Sequence, residues 1–195
     1  YDDSFEILVK IKKNFKDIKI IKLTRNYGQI PALYSGLENI ISKTYIVISA
    51  DLQDPVELIN KFLKFHFDEK FEIIAGERTS REDSLLERLS AKVFYKLLAK
   101  LCFPNFPSGG FDYFLISKKV RDIIIKTQQS NPYLQGEIFS TGYDIKLISY
   151  KRKKRLIGDS KWNFTKKLTY FMDGVLGYSF FPLRFVLFLG FILSI

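Results

Sequence analysis

Between Tyr45 and Ala50 the chain runs Tyr-Ile-Val-Ile-Ser-Ala, and this apolar stretch stops at a cluster of carboxylates, Asp51-Leu52-Gln53-Asp54-Pro55-Val56-Glu57. A short unbroken run of such residues predicts a strand buried on both faces. Pro55 after Asp54 predicts the first turn of a helix that the aspartate caps, continuing to about Phe67. Upstream, Asp3-Ser4-Phe5-Glu6 has the form of a capping box before apolar Phe5, Leu8, Val9 and Ile11 at helical spacing, with an end near Asn14. Ile18–Leu23 predicts a strand, Ile30 to about Ile41 a helix, and Glu72–Gly76 a second buried strand. Strand, helix, strand, helix and strand in succession predict an α/β fold with a doubly wound, mostly parallel sheet and right-handed crossovers.

The second half carries a long apolar stripe from Leu85 to Leu101, which predicts a helix packed on the sheet or on a membrane surface. Pro104, Pro107 and the run Ser108–Asp112 predict a loop that feeds a strand over Phe111–Ile116. Helices are expected over Lys118–Lys126 and Tyr133–Ser140, broken at Asn131-Pro132, and a late strand over Ile145–Tyr150. From Asn163 to Tyr178, Lys166 and Lys167 alternate with aromatic and aliphatic residues, as in a helix lying in a membrane interface. Phe185–Ile195 is an apolar run, broken only by Ser194, but falls short of the about 20 residues a bilayer requires. Its basic and aromatic flanks predict the start of a transmembrane helix cut off by the chain's end, and a chain opening on Tyr1 rather than Met is expected to be a fragment.

Charge narrows the partners. Lys and Arg number 31 against 21 Asp and Glu, a net +10, which favours polyanions, anionic lipid or phosphorylated substrates. The densest run, Lys151–Arg155, stands ahead of the apolar tail, as expected at a cytoplasmic membrane face. Without zinc spacing, a helix-turn-helix signature or an RNA-stacking motif, nucleic acid is not an expected partner. One cysteine, Cys102, excludes an intramolecular disulfide, and one histidine, His66, excludes multi-histidine metal sites and argues against a Ser-His-Asp triad.

The chemistry-bearing residues fall where an open α/β sheet binds ligands, at the carboxyl ends of strands. Asp51 and Asp54 there can hold a divalent cation that bridges phosphate oxygens, or merely cap a helix. Arg25, Asn26 and Gly28 occupy a strand-to-helix turn whose amides can serve a phosphate. Arg78 and Arg81 can grip a diphosphate in bidentate fashion, or remain solvated loop charges. Gly109 and Gly110 allow close backbone approach to a ligand. Arg155, Ser160 and Lys161 supply donors around a conformationally free Gly158.

Taken in order, Arg25-Asn26-Tyr27-Gly28 with Ala32 and Gly36, Ala50–Pro55, Gly76-Glu77-Arg78-Thr79-Ser80-Arg81, and Arg155–Lys161 resemble the motifs of family 2 glycosyltransferases. The similarity is to the branch that glycosylates polyisoprenyl phosphates, relatives of dolichol-phosphate mannose synthase. It implies a GT-A type catalytic domain over residues 1–150, a basic juxtamembrane segment over 151–178 and a truncated transmembrane helix over 179–195. It also implies a Mg²⁺ or Mn²⁺ ion held by Asp51, a UDP- or GDP-linked sugar donor contacted by Gln53, Asp54 and the arginines, a polyprenyl phosphate acceptor, and membrane lipid. The family's opening strand and acidic base-binding loop would precede residue 1. Homo-oligomerisation through membrane helices is left open. Two positions depart from the pattern: Ser49 stands where the family has the first Asp of Asp-Ala-Asp, and Gly110 where it has the proposed base, so Asp112 becomes the candidate.

The implied reaction is an inverting attack at the anomeric carbon. A prenyl phosphate has a second pKa near about 6 and needs little deprotonation. Charge neutralisation on the departing diphosphate matters more. Asp112 could therefore orient the acceptor or stabilise positive charge on the sugar. Two rivals stand beside this reading: a family 2 transferase with a non-lipid acceptor, and a catalytically silent membrane scaffold that binds sugar nucleotides.

Overall fold

The computed structural model describes residues 3–80, 93, 95–104, 106–107, 110–129, 132–153 and 164–194. Two compact units make up the chain, residues 1–41 and Ser42–Ile195.

In the first unit, α1 (Ser4–Asn14) and α2 (Gln29–Asn39) are joined by extended chain. Asp3 occupies the N-cap position of α1, but its carboxylate makes no capping bond; its carbonyl alone serves, accepting from Ile7 N at 3.0 Å. The strand expected over Ile18–Leu23 does not form. A strand exists only where a ladder partner satisfies its backbone groups, and among the described residues this segment has none. Instead Lys19 Nζ donates to the Asn39 carbonyl, closing the free end of α2, and Lys22 Nζ lies 4.4 Å from the centre of the Phe5 ring.

The second unit is built on a four-stranded sheet of β1 (Thr44–Val47), β2 (Ile73–Ser80), β3 (Phe114–Ser117) and β4 (Ile145–Lys151), in the order β1-β3-β2-β4. β3 is antiparallel to both neighbours, and only β2 and β4 form a parallel pair. The expected mostly parallel sheet is thus a mixed one. Its physical reason is burial: Phe114-Leu115-Ile116-Ser117 is buried throughout and takes a central place, entering between β1 and β2 from the opposite end. Register fixes the consequence, since Phe114 stands opposite both Val47 and Ala75. The chain just before β3 therefore meets the ends of β1 and the later half of β2 at one edge.

β2 is longer than its sequence suggested. The segment expected as a loop from Gly76 to Arg81 continues the strand to Ser80, because β4 pairs with it as far as Ser80 opposite Lys151, with an irregularity between Arg78 and Ser80. Gly76 is required here: a Cβ would lie 2.8 Å from Cε1 of Tyr150. α3 runs Leu58–Phe67, three residues later than expected. Residues 55–57 form a tight turn instead, with Leu58 N donating to Pro55 O and Ile59 N to Val56 O, and Asp54 is not the cap. Leu58 and Phe62 of α3 pack on Ile74, Tyr113, Leu115 and Tyr150 of the sheet. His66 ends this helix, its Nδ1 2.7 Å from the Phe71 carbonyl.

A second core is largely aromatic. Leu98 of α4 (95–101), Phe103, Phe106 and Tyr133 cluster with Val175, drawing together α6 (Leu134–Ser140) and α7 (Phe164–Tyr178). The Ser117 hydroxyl caps α5 (Lys118–Thr127) by accepting from Val120 N. α8 (Phe181–Leu193) follows α7 after a bend of 81° and has no buried residue. No single described helix is long and apolar enough to cross a membrane, whereas Leu168–Tyr178 and Phe181–Leu193 pass that test as a bent pair.

Candidate active site

Four segments deliver carboxylates and guanidinium groups to the shared edge of the sheet: the loop after β1, the far half of β2, the approach to β3, and the residues just after β4. Asp54 is the most deeply placed, its side chain 0% exposed. Its Oδ1 accepts from the Tyr150 hydroxyl at 2.6 Å and lies 3.3 Å from Arg152 Nε. Oδ2 is buried and has no hydrogen-bond partner among the described residues. Asp51 accepts from Gln53 N at 3.2 Å through Oδ1, while its Oδ2 is 3.6 Å from Arg152 Nη2. One guanidinium thus spans both carboxylates.

The loop that carries them is held from outside. Gln53 Nε2 donates to the Lys153 carbonyl at 3.1 Å, and Lys153 N donates to the Gln53 carbonyl at 2.9 Å. Between the two aspartates Leu52 adopts φ +57°, a left-handed conformation that costs a β-carbon-bearing residue energy and that this double tie sustains. Burial, followed by the bond to Asp54, pushes the Tyr150 phenol above its ordinary range, so it acts as a fixed donor. Burial likewise pushes Tyr113, which donates to the Pro55 carbonyl, up to about 12.

Asp112 lies two residues before β3, its carboxylate 41% exposed. Oδ2 pairs with Arg78 of β2, and Oδ1 accepts from Gln135 Nε2 at 3.1 Å. Arg78 is only 8% exposed. Burial alone would lower its pKa, but Asp112 and the neighbouring Tyr150 outweigh that and raise it. Arg78 is consequently a fixed cation holding Asp112, rather than the free diphosphate clamp expected from a loop. Gly110, at φ +62°, passes beneath Tyr95, whose hydroxyl would be 2.5 Å from a Cβ.

Of the residues singled out from sequence, Asp51, Gln53, Asp54, Arg78, Gly110 and Asp112 lie in this unit around the edge just described. Arg25, Asn26 and Gly28 lie in the other unit. There Gly28 takes φ +94° at the N-cap of α2, its N–H donating to Asn26 Oδ1 at 2.9 Å, and the Arg25 guanidinium stacks 4.6 Å from the Tyr27 ring centre. Arg81, Gly109, Arg155, Gly158, Ser160 and Lys161 lie outside the described residues. Arg152, Tyr150 and Gln135 were not foreseen. Arg152 looked like one more charge in a basic run, and only its position directly after a strand hinted otherwise.

No group of three or more His, Cys, Asp or Glu able to hold a metal occurs among the described residues. The Oδ2 of Asp54, buried without a hydrogen-bond partner among the described residues, is nevertheless the kind of oxygen donor that a hard cation takes. Such an ion would take its other ligands from phosphate and water, the habit of Mg²⁺.

The family model described as Glycosyl transferase family 2 matches residues 1–124. Uncharacterized glycosyltransferase sll0501 of Synechocystis is 30% identical over 195 residues, covering 100% of this chain and 61% of its own length. The bactoprenol glucosyl transferase of Shigella phage SfV is 33% identical over 175 residues, 87% of this chain and 55% of the relative. A prophage bactoprenol glucosyl transferase homolog of Escherichia coli is 31% identical over 179 residues, 89% and 57% respectively. The chain spans a little over half the length of these relatives.

Proposed function

Because the chain belongs to glycosyl transferase family 2, we propose that its protein transfers a sugar from a UDP- or GDP-linked donor to a polyprenyl phosphate, with inversion, at the cytoplasmic membrane face. The observation that carries this reading is the sheet edge at which Asp51, Asp54, Arg152, Arg78 and Asp112 converge. The names of the bactoprenol glucosyl transferases among the relatives favour the lipid acceptor.

Asp51 and Asp54 would hold Mg²⁺ or Mn²⁺, which would neutralise the departing diphosphate. Asp112 faces the acceptor as a held anion: with Arg78 on one oxygen and Gln135 on the other, its task is to orient rather than to strip a proton from a phosphate already ionised. The basic run from Lys151 binds anionic headgroups, and the apolar surface of α8 enters lipid. Arg155, Ser160 and Lys161 serve the acceptor phosphate, and Arg81 the donor diphosphate.

The test uses the full-length protein in detergent with undecaprenyl phosphate and a panel of UDP and GDP sugars, with and without Mn²⁺, beside Asp51→Ala. Release of nucleoside diphosphate that requires lipid, metal and Asp51 is the expected result. A folded protein that binds a donor but releases nothing would replace the enzyme with the silent scaffold.

A further inference from the structure

Asp112 stands between buried Phe111 and Tyr113, yet its own carboxylate is 41% exposed, so packing alone does not fix its direction. Beyond the Arg78 pair, a second restraint comes from helices. Gln135 of α6 donates from Nε2 both to the Phe111 carbonyl, at 3.0 Å, and to Asp112 Oδ1, at 3.1 Å. Both partners are acceptors, so the amide nitrogen must face them and the amide oxygen must face away. That oxygen accepts from the Tyr170 hydroxyl of α7. The Tyr170 ring is in turn packed 4.6 Å, centre to centre, from Tyr133.

The polarity of the chain follows: phenol to amide oxygen, amide nitrogen to carboxylate. Turning the amide over would set a carbonyl against an anion and leave the phenol without its acceptor. Successive bonds of this kind polarise one another, which strengthens the last bond to Asp112. α7 is also the helix that bends into the exposed apolar α8. The geometry points to Tyr170 and Gln135 as positioning residues that hold Asp112 in its working orientation and link that orientation to the seat of α7. This rests on reading Asp112 as the acceptor-side carboxylate.

Tyr170→Phe keeps the ring packing and removes only the donor. On full-length protein in detergent with undecaprenyl phosphate, it should lower kcat about three- to tenfold, the range one net hydrogen bond commands. Donor affinity, titrated with the sugar nucleotide alone, should stay within about twofold, and the unfolding midpoint should fall by no more than about 5 °C, the shift that the loss of one hydrogen bond brings. Gln135→Ala should lower kcat similarly or more, and the double variant should equal Gln135→Ala alone, since one path carries both effects. In an Asp112→Asn background, Tyr170→Phe should change kcat no further. An unchanged kcat in the single variant, effects that multiply, or a loss that persists in Asp112→Asn would each overturn the proposal. A wild-type protein that transfers nothing would sink the transferase reading instead. The relay is then judged on the NMR resonances of the Gln135 side-chain amide, which Tyr170→Phe shifts if the bond exists and leaves in place if it does not.

Discussion

Replacing Arg152 with leucine keeps the bulk of the side chain and removes the one guanidinium that spans Asp51 and Asp54. Among the described residues, Asp54 would be left fully buried with the Tyr150 hydroxyl, 2.6 Å away, as its one remaining partner. Breaking a buried pair by deleting one partner costs about 3–5 kcal/mol. Arg152 is itself 24% exposed, so water can enter the space it leaves, and the cost falls to the bottom of that range or just below it, about 2–3 kcal/mol. For a chain of this size that corresponds to roughly 5–10 °C in the unfolding midpoint. The measurement is thermal unfolding of the full-length protein and Arg152→Leu, each with and without Asp54→Asn. In the Asp54→Asn background the Arg152 substitution should cost under about 1 kcal/mol, because the uncompensated anion is gone. Added Mn²⁺ should stabilise Arg152→Leu more than the parent, a cation taking the place of the lost charge. A loss below about 1 kcal/mol, or an equal loss in both backgrounds, would refute the argument that this arginine balances the buried carboxylate.

Two further perturbations test the surrounding frame. Burial pushes the Glu137 carboxyl of α6 from 4.5 up to about 7. Its folded pKa is raised, so its contribution is complete below about pH 4.5 and is lost as pH rises through about 7, a change of about 3 kcal/mol. Denaturant unfolding between pH 5 and 8 should show that decline, and Glu137→Gln should flatten it; a slope that survives the substitution would assign it to another group. Gly110→Ala introduces both an unfavourable φ of +62° and a Cβ 2.5 Å from the Tyr95 hydroxyl. It should cost about 2–4 kcal/mol in the same assay, and a loss within about 0.5 kcal/mol would show that the turn relaxes freely.

Much of the element list was legible in the sequence because short apolar runs and helical stripes are local signals. β4 lies where Ile145–Tyr150 suggested, β1 and β3 overlap Tyr45–Ala50 and Phe111–Ile116 but end three residues early and begin three residues late respectively, and α5 and α6 match to within a residue. Direction was not legible. The run that became β3 looks the same whichever way it enters the sheet, and only its pairing with Val47 and Ala75 reveals that it is antiparallel. Ile18–Leu23 has the composition of a strand, but composition supplies no partner. Asp54-Pro55 resembles a helix start in any chain; Tyr150 and Arg152, nearly a hundred positions later, turn Asp54 into a buried anion. Asp51 was visible as a candidate because it stood at the end of an apolar run, and Asp112 because the family resemblance places a carboxylate beside it, where Gly110 stands. Arg152 and Gln135 carried no such contrast with their neighbours.

The placement of β3 also governs the order in which the sheet can assemble. Among the described residues β1 has no ladder with β2, and residues 44–47 find their partner in Phe114–Ser117. During synthesis β1 and one side of β2 must therefore wait, as open edges, while the chain between them and β3 emerges. Closing such a long loop is slow, and unpaired edges invite pairing with other chains. A truncation that stops before Phe114 would take from β1 and β2 the strand that lies between them, so a piece of this sheet that keeps its centre extends through Ser117.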